Sequence, residues 1–427
     1  MSYIRVRSSG PLEGTVKING AKNAALPILA ASLLGTEEII IDGIPPLKDV
    51  EVMVEVLRSL NAKVEYLDKE TIKIDPSTVN SCKPPFELVN KMRASFIVMG
   101  PLLTKFGKIQ IGLPGGCSIG KRPIDLHLKG FKALGAKLDK DPNSIGAEAG
   151  PEGLVGTLIY LDFPSVGATQ NIMLAACMAK GETIIENAAK EPENVDLANF
   201  LNKMGAKVRG AGTSRIIIKG VEKLGGARHT IIPDRIEAST FLVGACMTGG
   251  KIKVENVLAE HIRPVLAKLG EVGAKIKESE DEDTITLEMK GRPQATQIRT
   301  LPYPGFPTDV QAQFMALMTI AEGQSKVDET VFENRFMHVD ELNKMGALIV
   351  TEGNDAIIRG VDRLKGSRVN ATDLRAGAAL ILAGLVAEGE TDVYNVYHLD
   401  RGYYRFEERL RALGADIERV EEKDRND

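Results

Sequence analysis

Apolar residues along this chain fall into two alternating patterns. One is a run that is apolar at nearly every position and rich in alanine and glycine, as in NAALPILAASLL at 23–34, TQNIMLAACMA at 169–179 and LRAGAALILAGLVA at 374–387. A helix that is apolar all round has no face to give to water, so these runs predict helices in the interior. The other pattern is alternation over a few residues, as in TITLE at 284–288. Alternating strands bury one face and show the other to solvent. Together the patterns predict an α/β fold with helices inside and sheets outside.

The patterns recur in register with a short phrase. It reads LRSLNAKV from Leu57, FKALGAKL from Phe131, LNKMGAKV from Leu201, LGEVGAKI from Leu269, LNKMGALI from Leu342 and LRALGADI from Leu410. The six starts lie roughly 70 residues apart, the signature of a repeat architecture. Each phrase reads as the last turn of a helix, a left-handed stop at Gly (Asn61 in the first) and then a strand. About 20 residues upstream of each lies a further glycine and an alternating strand, from Gly35, Gly107, Gly181, Gly250, Gly323 and Gly389. Ser165, Asp234, Thr308 or Asp309, and Thr372 or Asp373 stand where N-caps of the apolar helices belong. Six such units exceed one comfortable core, so two domains of three units each are expected, with a crossing near 220–234.

Composition narrows the partners. The chain has 427 residues, 43% hydrophobic and 26% charged, with a formal net charge of -4. That balance disfavours a general nucleic-acid binder. No apolar stretch is long enough to span a bilayer, and the opening MSYIRVRSSGPLEG lacks the apolar segment of a signal peptide. Four cysteines without a CxxC pair, and five scattered histidines, suggest neither a disulfide framework nor a metal site, so a reducing cytoplasm is the expected compartment.

Chemistry concentrates in LPGGCSIGKRP at 113–123. Gly115, Gly116 and Gly120 make this stretch mobile, and Lys121 and Arg122 favour the thiolate of Cys117. It reads as a lid with a reactive thiol, or else as a long turn that happens to hold a cysteine. Cys177 and Cys246 lie inside apolar runs and read as structural, and Cys82 has no evident partner. His127 could pair with Cys117 as in a Cys–His hydrolase, but no separate orienting group is evident. Lys22, Asn23, Arg93 and Arg375 stand at or beside helix starts, where anions bind readily, and Arg401 follows a strand; any one of these cations alone reads as a solvated surface charge, and their shared place at unit junctions is what points to an anion. Asp309 in FPTDVQAQF reads equally well as an N-cap or as a base beside an anionic site.

AKNAALP, MRAS, LPGGCSIGKRP, SVGAT, FPTDVQAQF, VFENRFMHV, ATDLRA and HLDRGY, in that order, resemble the UDP-N-acetylglucosamine enolpyruvyl transferase family from about residue 18 to 419. The resemblance implies two inside-out α/β barrel domains, each of three repeated units. It divides them as 22–232, carrying the Cys117 loop, and 1–21 with 233–427. The implied reaction moves the enolpyruvyl group of phosphoenolpyruvate to the 3-hydroxyl of UDP-N-acetylglucosamine (UDP-GlcNAc) and releases phosphate. It needs no cofactor or metal. It opens peptidoglycan synthesis, and so bears on cell-wall growth, cell shape and division.

By the same resemblance Cys117 gives a proton to the methylene carbon and can form a covalent phospholactoyl adduct. Asp309 takes the proton of the sugar hydroxyl, and Lys22 and Arg401 complete the catalytic set. Phosphoenolpyruvate would be held by Lys22, Asn23, Arg122, Arg375 and Arg401. UDP-GlcNAc would be held by Asn23, Arg93, the run Arg122, Pro123, Ile124, Asp125 and Leu126, then Ser165, Val166 and Gly167, and finally Asp309, Val331 and Arg335. The family is blocked by the epoxide fosfomycin at the matching cysteine. Some members carry Lys where this chain has Phe163, and stacking on the uracil could replace that contact. The shikimate-pathway enolpyruvyl transferases share fold and donor substrate but lack the loop cysteine and usually open with a Ser-Lys-Ser string in place of Ala21–Lys22–Asn23. A silent nucleotide-sugar scaffold is the alternative outside enzymology, and the intact Cys117, Asp309 and cation set weighs against it. Residues 113–123 are expected to change their hydrogen-exchange protection when UDP-GlcNAc binds; equal protection with and without it would remove the lid.

Overall fold

The computed structural model describes residues 2–113, 124–281 and 283–421. The chain divides into two compact units, residues 20–113 with 124–232, and residues 2–19 with 233–421. In sequence the crossings fall after Asn19 and after Ile232.

Each repeat has one plan, which the fourth shows in full. A buried helix, Arg235–Thr248, is followed by a strand, Lys251–Glu255, and an amphipathic helix, Arg263–Glu271. Two antiparallel strands, Lys275–Glu278 and Thr284–Glu288, then close the sheet. The buried helices of the first unit are Lys22–Ala31, Met99–Phe106 and Val166–Ala176. Those of the second are Arg235–Thr248, Gln311–Thr319 and Leu374–Leu385. Every residue of Gln311–Thr319 is buried, and all of Leu374–Leu385 but the first. The strands alternate, as in the exposed–buried pattern of Arg215–Lys219, so each sheet keeps one face for solvent. Buried apolar helices and half-wetted strands together make a mixed α/β fold, as the patterning of the sequence implies.

The repeated phrase does what its glycine implies. Asn61, Gly135, Gly205, Gly273, Gly346 and Gly414 all have positive φ, between 70° and 109°. Each follows an amphipathic helix and turns the chain into the next strand. At Gly346 an added Cβ would meet nothing within 4 Å, so only backbone strain opposes a side chain there. Gly346→Ala should lower stability by about 1 kcal/mol, the left-handed penalty less the entropy that alanine removes from the unfolded chain. A thermal melt checks this, with a lower Tm expected.

The sixth repeat explains why the N-terminus belongs to the second unit. It supplies only one closing strand, Ile417–Glu421. The missing one is Ser2–Arg7, antiparallel both to Ile417–Glu421 and to Glu390–Tyr394. Glu13–Lys17 then adds a parallel edge beside Lys251–Glu255. Asn19, the last residue before the crossing, is fixed by Glu237, which accepts from its backbone N at 2.9 Å and its Nδ2 at 3.0 Å.

Among the N-cap expectations, Ser165 accepts from the Ala168 N–H, Asp234 from Ile236 and Glu237, and Asp373 rather than Thr372 from Arg375 and Ala376. Asp309 is no N-cap. It lies in a 3-10 turn, Thr308–Val310, and makes no side-chain cap bond, because its carboxylate is engaged elsewhere.

Candidate active site

Each unit positions its own set of the expected residues. Cys117, Arg122 and Pro123, with the rest of the loop at 114–123, lie outside the described residues.

In the unit of residues 20–232, Lys22 and Asn23 open the helix Lys22–Ala31. Lys22 is 7% exposed, and its Nζ donates to Asp49 Oδ2 at 2.9 Å. Asp49 sits in the first turn of the helix Lys48–Ser59 and is itself buried. Asp49 is a residue the sequence reading missed. Its place in an otherwise amphipathic helix carries no local signal, and only the fold puts it on Lys22. Lys22→Ala would take away the Nζ donor that this buried carboxylate accepts from, and breaking a buried ion pair typically costs about 3–5 kcal/mol. That variant should therefore lose stability as well as phosphoenolpyruvate use. Arg401→Ala is the cleaner probe. It should raise the KM for phosphoenolpyruvate about ten- to a hundredfold with little change for UDP-GlcNAc, since a charge-assisted contact to phosphate contributes about 1.5–3 kcal/mol. Equal losses for both substrates would assign Arg401 to the fold.

Arg93 begins a 3-10 segment, Arg93–Val98, that runs into the helix Met99–Phe106. Asp125 is the first residue of the helix Asp125–Ala133, with Ile124 before it and Leu126 after. Ser165 caps Val166–Ala176, so the backbone of Val166 and Gly167 forms a first helical turn, where N–H groups have no intrahelical acceptor. Phe163 is 42% exposed, and its carbonyl accepts from the Ser165 N–H at 2.7 Å. Cys177 and Cys246 are fully buried, and burial pushes both thiols up to about 12, so neither ionises near neutrality. His127 is held down at about 3 by burial and by the Arg93 charge, and its Nδ1 is engaged by Asn171 at 3.1 Å. A histidine so placed is a poor base for a thiol.

In the unit of residues 233–421, three expected residues meet. Arg335 Nη2 lies 2.8 Å from Asp309 Oδ1, and Arg375 Nη2 lies 3.4 Å from Oδ2. Both guanidiniums are buried, with 3% and 4% of their side chains exposed against 28% for Asp309. Arg375 Nη1 is a buried donor with no hydrogen-bond partner among the described residues. Its guanidinium also lies over the ring of Tyr403, whose hydroxyl is 2.9 Å from Thr240 Oγ1. Burial pushes that phenol up.

Glu329, a second residue the sequence reading missed, joins the Asp309 turn to the Val331 loop. This 1%-exposed carboxylate accepts from Thr308 Oγ1 at 2.9 Å and from the N–H groups of Val331 and Phe332 at 2.9 and 3.1 Å. Arg401 ends the 3-10 segment Val396–Arg401, and the preceding Asp400 is clamped by Arg419, which also binds Glu407. A carboxylate fixed between guanidiniums, with a spare buried N–H beside it, can orient a hydroxyl and hold an anion.

The chain belongs to the EPSP synthase (3-phosphoshikimate 1-carboxyvinyltransferase) family, whose description matches residues 6–410. Within it, the chain is 64% identical over 424 residues to the UDP-N-acetylglucosamine 1-carboxyvinyltransferase of Finegoldia magna, covering 99% of this chain and 100% of that one. It is 59% identical over 416 residues to UDP-N-acetylglucosamine 1-carboxyvinyltransferase 1 of Caldanaerobacter subterraneus subsp. tengcongensis, covering 97% and 98%. The fold matches the crystal structure of the enolpyruvyl transferase NikO from Streptomyces tendae with a TM-score of 0.88 at 23% identity, covering 98% of this chain and 99% of that one. It also matches EPSP synthase from Acinetobacter baumannii with a TM-score of 0.76 at 19% identity, covering 99% and 100%. Among the described residues no helix is long and apolar enough to cross a membrane.

Proposed function

We propose that this chain transfers the enolpyruvyl group of phosphoenolpyruvate to the 3-hydroxyl of UDP-GlcNAc, as the first committed step of peptidoglycan synthesis in the cytoplasm. The observation that carries the reading is full-length identity of 64% to a relative of that name, well beyond the 19% to an EPSP synthase. Each unit is read as an inside-out α/β barrel, the first as residues 22–232 and the second as 1–21 with 233–427. The threefold repetition and buried helices support that reading.

The chemistry is addition followed by elimination. Cys117 donates a proton to the methylene carbon of phosphoenolpyruvate, and the central carbon becomes electron-poor. The sugar oxygen bonds to that carbon while Asp309 accepts the hydroxyl proton. The methyl group formed then returns a proton to the Cys117 thiolate, the double bond re-forms as the C–O bond to phosphate breaks, and phosphate leaves with the proton held by Asp309. Lys22, Asn23, Arg122, Arg375 and Arg401 hold the phosphate and carboxylate of phosphoenolpyruvate. The buried Lys22 and the spare Arg375 N–H suit an anion that has shed water. UDP-GlcNAc is held by Asn23, Arg93, the residues from Arg122 to Leu126, Ser165 to Gly167, Asp309, Val331 and Arg335.

Phosphate release from phosphoenolpyruvate tests the choice of acceptor. Release is expected with UDP-GlcNAc and not with shikimate 3-phosphate; the reverse preference would move the chain to the other branch of its family.

A further inference from the structure

Four buried polar side chains meet among the helices of the unit 233–421. Thr240, Gln313 and Arg375 come one from each of Arg235–Thr248, Gln311–Thr319 and Leu374–Leu385, and Tyr403 follows the segment Val396–Arg401. Their hydrogen bonds have a fixed direction. The Thr240 hydroxyl donates its one proton to the Ile236 carbonyl at 2.8 Å. It can then only accept from Tyr403, so the 2.9 Å contact between the two hydroxyls is a bond from the phenol to Thr240. The Asp309 carbonyl also can only accept, which fixes the Gln313 amide: Nε2 lies 3.0 Å from that carbonyl, 3.0 Å from Thr240 Oγ1 and 3.3 Å from the phenol oxygen. With its proton given to Thr240, the phenol oxygen has only lone pairs left for Arg375, whose guanidinium carbon lies 5.4 Å from the ring centroid. Burial pushes this phenol up, and the charge and hydrogen bonding of Arg375 pull it back, so the two groups act on each other directly. On its other side Arg375 Nη2 lies 3.4 Å from Asp309 Oδ2, and Nη1 is a buried donor with no hydrogen-bond partner among the described residues.

We propose that Tyr403 is a positioning residue for enolpyruvyl transfer: its hydroxyl, turned by Thr240 so that it can only accept, holds the Arg375 guanidinium with Nη1–H spare for the anionic end of phosphoenolpyruvate. The inference rests on the reading of Arg375 as a phosphoenolpyruvate ligand. A buried donor left unspent is costly unless an acceptor arrives, and an anion is the strongest acceptor for a guanidinium. A phenol that turned its proton toward Arg375 would set donor against donor and displace the guanidinium. Gln313 ties the same chain of bonds to the Asp309 carbonyl, so the donor substrate's ligand and the proposed base share one frame.

The test is steady-state phosphate release by the full chain, with the KM for each substrate and a thermal melt of each variant. Tyr403→Phe removes the oxygen and keeps the ring. Thr240→Val removes the phenol's acceptor and keeps the branched shape. Each should raise the KM for phosphoenolpyruvate about tenfold, while kcat and the KM for UDP-GlcNAc stay within about threefold. Thr240→Ser, which keeps the hydroxyl, should recover most of the loss seen with valine. The double variant should be no worse than either single one, because both break the same chain of bonds. If Tyr403→Phe fails to fold, the comparison of valine with serine at 240 decides alone. An unchanged phosphoenolpyruvate KM in Thr240→Val, additive losses in the double variant, or equal losses for both substrates would overturn the positioning role. Arg375→Ala, measured alongside, keeps this apart from the wider reading. If it raises the phosphoenolpyruvate KM and the Tyr403 and Thr240 variants do not, only the positioning role falls. If it leaves that KM unchanged, Arg375 is no phosphoenolpyruvate ligand and both readings fall.

Discussion

Cys117→Ser should lower turnover by about a hundred- to ten-thousandfold, the usual contribution of a positioned general acid. A serine hydroxyl is far too weak an acid to protonate the methylene carbon. Cys117→Asp should keep measurable turnover, since a carboxyl can still deliver a proton. Alkylation separates the two roles of the thiol. Small electrophiles should label Cys117 first in the parent and label neither variant at that position. Cys177 and Cys246 are sealed within helices, with thiols pushed up to about 12, and should stay unlabelled while the fold persists. In sequence Lys121 and Arg122 follow Cys117 by four and five residues, whereas Cys82 has only Lys83 beside it, so the thiolate is expected at Cys117. Peptide mapping after limited alkylation, with turnover of both variants, is the measurement. Labelling that begins at Cys82, or a serine variant as active as the parent, would take Cys117 out of the mechanism.

Asp309→Asn should lower kcat by about a hundredfold or more, because an amide cannot take the sugar proton. The structure adds a second consequence. Arg335 and Arg375 bury their guanidiniums against this carboxylate, so the amide removes a negative charge that both enclosed cations face. The two effects part in steady-state kinetics. Loss of the base lowers kcat while both KM values stay within about threefold, whereas loss of an arginine holder raises KM with kcat kept. A KM-only effect would make Asp309 a positioning residue.

The repeat was legible because it is local. A helix end, a left-handed residue and a strand start lie within eight residues, and all six phrases carry the positive φ that their glycine or asparagine implies. The caps at Ser165 and Asp234 were legible for the same reason, as each bonds within three residues of itself. Sequence spacing could not choose between cap and base for Asp309, since its partners stand 26 and 66 residues away. Asp49 and Glu329 were hidden likewise. A lone acid in an amphipathic helix, or at the end of a strand, looks like an ordinary surface charge until the fold buries it. The sharing of the N-terminus depends on Ser2–Arg7 completing a sheet whose other strands come from near the far end of the chain. Periodicity contains no signal for such a pairing.

Incubation with phosphoenolpyruvate alone, followed by intact mass and peptide mapping, tests the centre of this chemistry. The thiol should add across the double bond, its sulfur joining the central carbon and a proton joining the methylene carbon, with phosphate retained. One phosphoenolpyruvate mass on the Cys117 peptide, and none on Cys82, Cys177 or Cys246, is the expected result. An unmodified protein that still releases phosphate when UDP-GlcNAc is added, or an adduct on another cysteine, would contradict it.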